Sequence, residues 1–154
     1  MSNNTSLQHK TIAMIATDGF EHSELLQPKQ KLTSQGASVE VISINDSDSI
    51  RSWDQNDWGE TVKVDKQIEQ ITAADYDAVI LPGGQINPDI LRTNEKVVDF
   101  IKSANTLPNV KAIAAICHGP WLLVEANIVN DKYVTSYPSI STDLTNAGAK
   151  WQDK

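Results

Sequence analysis

Apolar residues in this chain fall in short runs separated by polar, glycine- or proline-bearing stretches. Residues 11–16 (Thr-Ile-Ala-Met-Ile-Ala), 39–44, 78–81 and 112–116 are each four to six residues long, the length and continuity of buried strands. The first run stops at Thr17-Asp18-Gly19-Phe20-Glu21-His22, a turn signal that predicts a following helix closed by Gly36 as the residue past its C-cap. Pro28 inside that segment predicts a kink or a late start. Val97, Phe100, Ile101 and Ala104 recur at helical spacing behind Asn94, a cap residue. A helix is predicted from Pro120 through Ala126, then a strand at 133–136 and a helix at 143–147. Residues 45–60, with Asp46, Asp48, Asp54 and Asp57 around Trp53 and Trp58, read as a solvated loop, and 60–65 as a short half-exposed strand.

Strands apolar on both sides and alternating with helices predict an α/β domain with a mainly parallel sheet covered on both faces. Ligands in such sheets bind at the carboxyl ends of strands. Three loops sit at such ends, at 18–22, 83–85 and 117–119, and they are expected to converge.

A length of 154 residues gives one domain, read as a polar tail over 1–10 and a single domain over 11–154. The net charge of −7, with no basic run, argues against nucleic-acid or acidic-membrane partners. No apolar stretch has the length of a membrane span, and residues 1–10 lack the apolar core of a signal peptide. One cysteine excludes an intrachain disulfide and fits a reducing, cytoplasmic setting. His9, His22, His118 and Cys117 show no metal-ligand spacing, and the Asp-rich stretch does not match a calcium loop, so no metal or other cofactor is expected. His9 and His22 read as solvated residues, and the four tryptophans as packing or interface residues.

The chemistry concentrates at Cys117. Its strand run ends there, with small residues two positions away on each side, Ala115 and Gly119, and Pro120 beyond. That spacing matches a nucleophile elbow, a sharp strand-to-helix turn that projects the central side chain. A thiol placed at a helix N-terminus is expected to be shifted toward thiolate. The alternative reading of Cys117 is a small core hydrophobe. Pro82-Gly83-Gly84 ends the preceding strand and offers backbone N–H groups for an oxyanion, or a plain tight turn.

Asp18-Gly19-Phe20-Glu21, Leu81-Pro82-Gly83-Gly84, Ala115-Ile116-Cys117-His118-Gly119-Pro120 and Thr135-Ser136-Tyr137-Pro138, in this order, resemble the ThiJ/PfpI superfamily, closest to its PfpI branch. The resemblance implies a flavodoxin-like three-layer sandwich of the class I glutamine amidotransferase type, with Cys117 as nucleophile. It implies a protonated Glu21 against the sulfur, Gly84 and the His118 N–H as oxyanion hole, and His118 oriented by a carboxylate of a neighbouring subunit, for which Asp89 is the candidate here, its alternative reading being an acid at a helix N-terminus. It also implies a homodimer or higher homo-oligomer. Family members usually continue past the segment matching residues 149–154, so the chain is expected to lack a C-terminal segment.

Three functions follow from the resemblance. The first is a cysteine-dependent stress-response enzyme acting on small carbonyls, glyoxalase III or deglycase-like. The second is a PfpI-type protease or amidase acting on peptide bonds. The third is a non-enzymatic redox sensor or chaperone using the same thiol.

Overall fold

The computed structural model describes residues 6–154; the first half of the expected polar tail lies outside the described residues. From residue 6 onward that tail is docked: the Leu7 N–H donates to the Gln35 carbonyl (3.2 Å) and the Ser38 N–H to the Lys10 carbonyl (2.8 Å).

The central sheet is parallel throughout. Its strands β1 (Thr11–Ile15), β3 (Ser38–Ser43), β6 (Lys66–Gln67), β7 (Ala78–Leu81) and β8 (Ala112–Ala115) lie in the order β6-β3-β1-β7-β8. Alternate side chains of β1 feed two cores. Ala13 and Ile15 join Leu81, Val97, Phe100, Ile101 and Leu122 on one face, against α3 (Glu95–Thr106) and α4 (Trp121–Glu125). Met14 joins Phe20, Leu25, Val41 and Ile50 on the other, against α1 (His22–Ser34). Burial on both faces is why β1 and β7 read as unbroken apolar runs.

The helix boundaries follow their signals. Asn94 Oδ1 accepts the Val97 N–H at 3.1 Å and starts α3. Gly36, at φ 97°, ends α1: its N–H donates to the Thr33 carbonyl and the next N–H, of Ala37, to the Leu32 carbonyl, the paired bonds of a Schellman cap. Pro28 lies inside α1, which starts six residues before it and runs through it.

Residues 45–60 differ from expectation. They hold the hairpin of β4 (Ser49–Asp54) and β5 (Asp57–Lys63), which joins β2 (Phe20–Glu21) in a second, three-stranded sheet. Trp53 and Trp58 face each other across the hairpin edge to face, ring centres 5.5 Å apart. That cross-strand pair stabilises strands whose other residues are polar enough to look like loop.

The run over residues 112–116 also differs from the expected buried strand. β8 is the outermost strand of the sheet, Ala112 and Ala114 are exposed, and Ile116 is 46% exposed. β9 (Tyr133–Val134) lies within the strand predicted at 133–136 and α5 (Ser141–Asn146) falls near its predicted place, whereas the short helix α2 (Ile86–Leu91) and β10 (Lys150–Trp151), the partner of β9, were not foreseen.

Chain order reverses beside β1, which is followed outward by β3 and β6 on one side and by β7 and β8 on the other. The crevice at that reversal is where a doubly wound sheet holds its ligand. The loops after β1, β7 and β8 meet there.

Candidate active site

The turn after β8 is built by close approach. The Ile116 N–H donates to the Leu81 carbonyl (3.3 Å), and the Gly119 N–H to the Ile116 carbonyl (2.8 Å). A Cβ on Gly119 would lie 2.5 Å from the Leu81 oxygen and 2.8 Å from the Ile116 oxygen, so glycine is required there. Cys117 between them sits at φ 62°, a left-handed backbone that costs an L residue about 1–2 kcal/mol. The expected elbow is present, and its cysteine is strained and half-buried.

The loop after β7 closes on it. A Cβ on Gly83 would lie 2.6 Å from the Cys117 Cβ and 2.7 Å from Glu24 Oε2, which measures how tightly three segments meet. The wholly buried Asn87 of α2 pins this loop. Its Nδ2 donates to the Pro82 and Gly83 carbonyls (3.0 and 3.1 Å), and its Oδ1 accepts the Thr17 N–H (2.8 Å), tying the loops after β1 and β7 together. The backbone N–H groups of Gly84 and His118 are thereby aimed at the Cys117 sulfur.

The carboxyl at the sulfur is Glu24. Glu21, expected in that role, is the residue before α1 and part of β2; its N–H donates to the Gly83 carbonyl (3.2 Å), so its contribution to the loop is through the backbone. One turn further, Glu24 points into the crevice, where it meets the thiol and the Gly83 N–H. Its Oε2 is buried and finds no well-formed partner of its own. Burial raises its pKa, and the negative charge of Glu21 raises it further.

The Cys117 thiol is also pushed up, by burial first and then by Glu24, against the lowering influence of the Gly84 and His118 N–H groups. This departs from the expected helix-lowered thiol. The helix that follows starts only at Trp121 and is five residues long, too short and too distant to outweigh desolvation. A raised carboxyl against a raised thiol is a pair that resists carrying two charges and exchanges one proton.

His118 is buried, and burial lowers its pKa. Its Nδ1 is 3.2 Å from the Cys117 sulfur and its Nε2 is 3.3 Å from Ser139 Oγ. Tyr137 stacks on the ring at 4.8 Å and Trp121 meets it edge-on at 5.0 Å. Of the residues singled out from sequence, the fold brings together Cys117, His118 and Gly84. Asp89 is exposed on α2, and His22 pairs with Ser52 Oγ at 3.4 Å. Glu24, Asn87 and Ser139 were missed. Glu24 alone carried a signal, three residues beyond Glu21 and thus on the same side of a helix that starts there.

A solvent-open groove of about 450 Å³, lined by Ser23, Glu24, Gln27, Pro28, Lys31 and Ile116, reaches Glu24 and the residue before Cys117. Most of its exposed surface is apolar. Among the described residues no group of three or more His, Cys, Asp or Glu side chains is placed to hold a metal ion, and no helix is long and apolar enough to cross a membrane.

Comparison with known proteins identifies the family. The DJ-1/PfpI family model matches residues 10–154. A Bacillus subtilis protein named "Putative cysteine protease YraA" is 38% identical over 144 residues, 94% of this chain and 81% of that protein. A Pyrococcus abyssi protein named "Deglycase PYRAB04690" is 36% identical over 142 residues, 92% of this chain and 81% of that protein. The crystal structure of a two-domain protein from Anabaena variabilis, with DJ-1/ThiJ/PfpI-like and ferritin-like domains, superposes with a TM-score of 0.84 at 29% identity, covering 94% of this chain and 40% of that one.

Proposed function

The chain belongs to the DJ-1/PfpI family, and from that premise we propose that it is a cytoplasmic, cysteine-dependent enzyme that converts small reactive carbonyls, 2-oxoaldehydes foremost, by way of Cys117. The observation that carries this reading is the contact of the Cys117 thiol with two proton carriers at once, Glu24 on one side and the His118 Nδ1 on the other.

A 2-oxoaldehyde such as methylglyoxal is small enough to approach the half-buried Cys117. The thiolate adds to the aldehyde carbon, forming a C–S bond, and the carbonyl oxygen becomes an oxyanion held by the Gly84 and His118 N–H groups until it is protonated to the hemithioacetal. A base, Glu24 or His118, takes the proton from that carbon to give an enediol, and a proton returned to the neighbouring carbon leaves a thioester. Water then cleaves the C–S bond, releases lactate and restores the thiol. Oxidation of one carbon is matched by reduction of its neighbour, so no outside oxidant or reductant is used. A carboxyl with a raised pKa suits the exchange, since burial makes it hold a proton more readily than an ordinary carboxylate and it can return that proton to the substrate.

The same hemithioacetal chemistry reaches carbonyl adducts on amino groups, in line with the name of the Pyrococcus abyssi relative. Hydrolysis of peptide bonds is a second reading, favoured by the name of the Bacillus subtilis relative. The discriminating assay is lactate formation from methylglyoxal without glutathione, run beside casein cleavage by the same preparation. Lactate formed by the parent chain and lost in Cys117→Ala is expected; lactate formation undiminished in that variant, or casein cleavage alone, overturns the reading.

A further inference from the structure

We propose that Ser139 is the positioning residue for His118, accepting its Nε2–H and so holding Nδ1 against the Cys117 sulfur within one chain. This rests on the reading of Cys117 and His118 as a working pair.

The imidazole has little freedom. It is only 8% exposed, with Tyr137 on its face and Trp121 at its edge, so rotation about the ring axis alone remains to be fixed. That rotation is fixed at both nitrogens, Nδ1 by the sulfur at 3.2 Å and Nε2 by Ser139 Oγ at 3.3 Å. Ser139 is itself placed by backbone. The Tyr137 N–H donates to the Cys117 carbonyl (2.8 Å), the Ile140 N–H to the Tyr137 carbonyl (3.1 Å), and the indole N–H of Trp151 to Ser136 Oγ (2.9 Å). Ile140 is buried in a small third core with Val129, Leu144 and Ala149. The loop is thus stapled to the nucleophile's own peptide unit.

The chemistry gives the hydroxyl work at each step. When the thiol proton passes to Nδ1, the ring carries two N–H groups and a positive charge. One N–H donates to the thiolate, and the other, at Nε2, turns to an acceptor on the Ser139 side of the ring. The ionisable groups around the ring are Cys117 with Glu24 beyond it, Glu21 behind Glu24, and the Tyr137 phenol. On the far side, Trp121 holds Arg92 over its face and donates to Asp143. Among the described residues no carboxylate reaches Nε2, so the hydroxyl is the acceptor on hand.

Cys117 is the only cysteine, so its alkylation by iodoacetamide across a range of pH reads the pair without any substrate. Ser139→Ala is expected to slow alkylation near pH 7 by about three- to tenfold, a modest factor because Ser139 is exposed and water partly replaces it. The rates should converge at high pH, where the thiol ionises without help. Ser139→Thr should retain the parent profile, and in a His118→Ala background Ser139→Ala should add nothing. A Ser139→Ala profile that superimposes on the parent overturns the proposal. A loss that persists at high pH does so too, because it marks a structural effect. So does a shift produced by Asp89→Asn in place of Ser139→Ala, which would give Nε2 to a carboxylate from a second copy. A chain inert toward methylglyoxal would sink the carbonyl reading and leave this test standing.

Discussion

Replacing Glu24 by Gln separates two effects that the wild-type carboxyl combines. The amide keeps the size of the side chain and offers an N–H to the sulfur, but it neither ionises nor carries a proton. In the parent, thiolate formation beside an ionised Glu24 brings two negative charges together. The two groups meet directly, and unit charges about 4 Å apart repel by about 4 kcal/mol at an effective dielectric of 20. The site is half-open, and solvent screening reduces this to roughly 1 kcal/mol. Glu24→Gln is therefore expected to lower the Cys117 pKa and to speed alkylation near pH 7 by about fivefold. Turnover of a carbonyl substrate should move the other way, falling by about a hundredfold or more with the loss of a proton carrier. Glu21→Gln should do little in either assay. The assays are iodoacetamide inactivation and lactate formation on the same preparations. A Glu24→Gln variant with parent-like alkylation and turnover, or a Glu21→Gln variant that reproduces the expected pattern, would refute the assignment of the carboxyl.

Three further outcomes follow from the site. Asn87→Leu keeps the volume but strips partners from the Thr17 N–H and the Pro82 and Gly83 carbonyls, and should cost about 3–5 kcal/mol, read as a lower urea midpoint at unchanged slope. Cys117→Gly should be more stable than Cys117→Ala by about 1 kcal/mol, because only glycine relieves φ 62°; equal urea midpoints would show that the turn is unstrained. His118, whose pKa is lowered on folding, is protonated first in the unfolded chain, so its contribution is complete above pH 6.5 and lost as pH falls through the folded value. Glu24, whose pKa is raised, has the opposite sign: its contribution is complete below about pH 4.5 and lost as pH rises through the folded value. Urea titrations against pH should show His118→Gln removing the first slope and Glu24→Gln the second.

The parallel sheet was legible because its central strands are buried on both faces, so β1 and β7 appear as unbroken apolar runs and β3 as one interrupted by Glu40 and Ser43. β8 carried the same run, yet composition says nothing about which strand lies at an edge. The hairpin of β4 and β5 was hidden because only Ile50 and Val62 carry it into the core, and the Trp53–Trp58 pair across the turn joins residues that looked like decorated loop. In the site, Cys117, Gly84 and His118 were readable from the elbow and the double glycine, since close backbone approach demands small residues at fixed offsets. Glu21 was misassigned because the motif marks the start of α1, whereas the side chain that reaches the sulfur is set by the helix turn, one step later at Glu24. Asn87 and Ser139 act from loops or short helices whose sequence has no periodicity, and only the folded chain shows what they touch.

The central claim is that Cys117 carries a carbonyl through an enediol, and it is tested most directly by following methylglyoxal in D2O by NMR with the parent chain and Cys117→Ala. The account predicts lactate bearing solvent deuterium on the carbon next to the carboxylate, formed by the parent and absent with the variant. Lactate that retains the substrate hydrogen at that carbon, or lactate formed equally well without the cysteine, would contradict it.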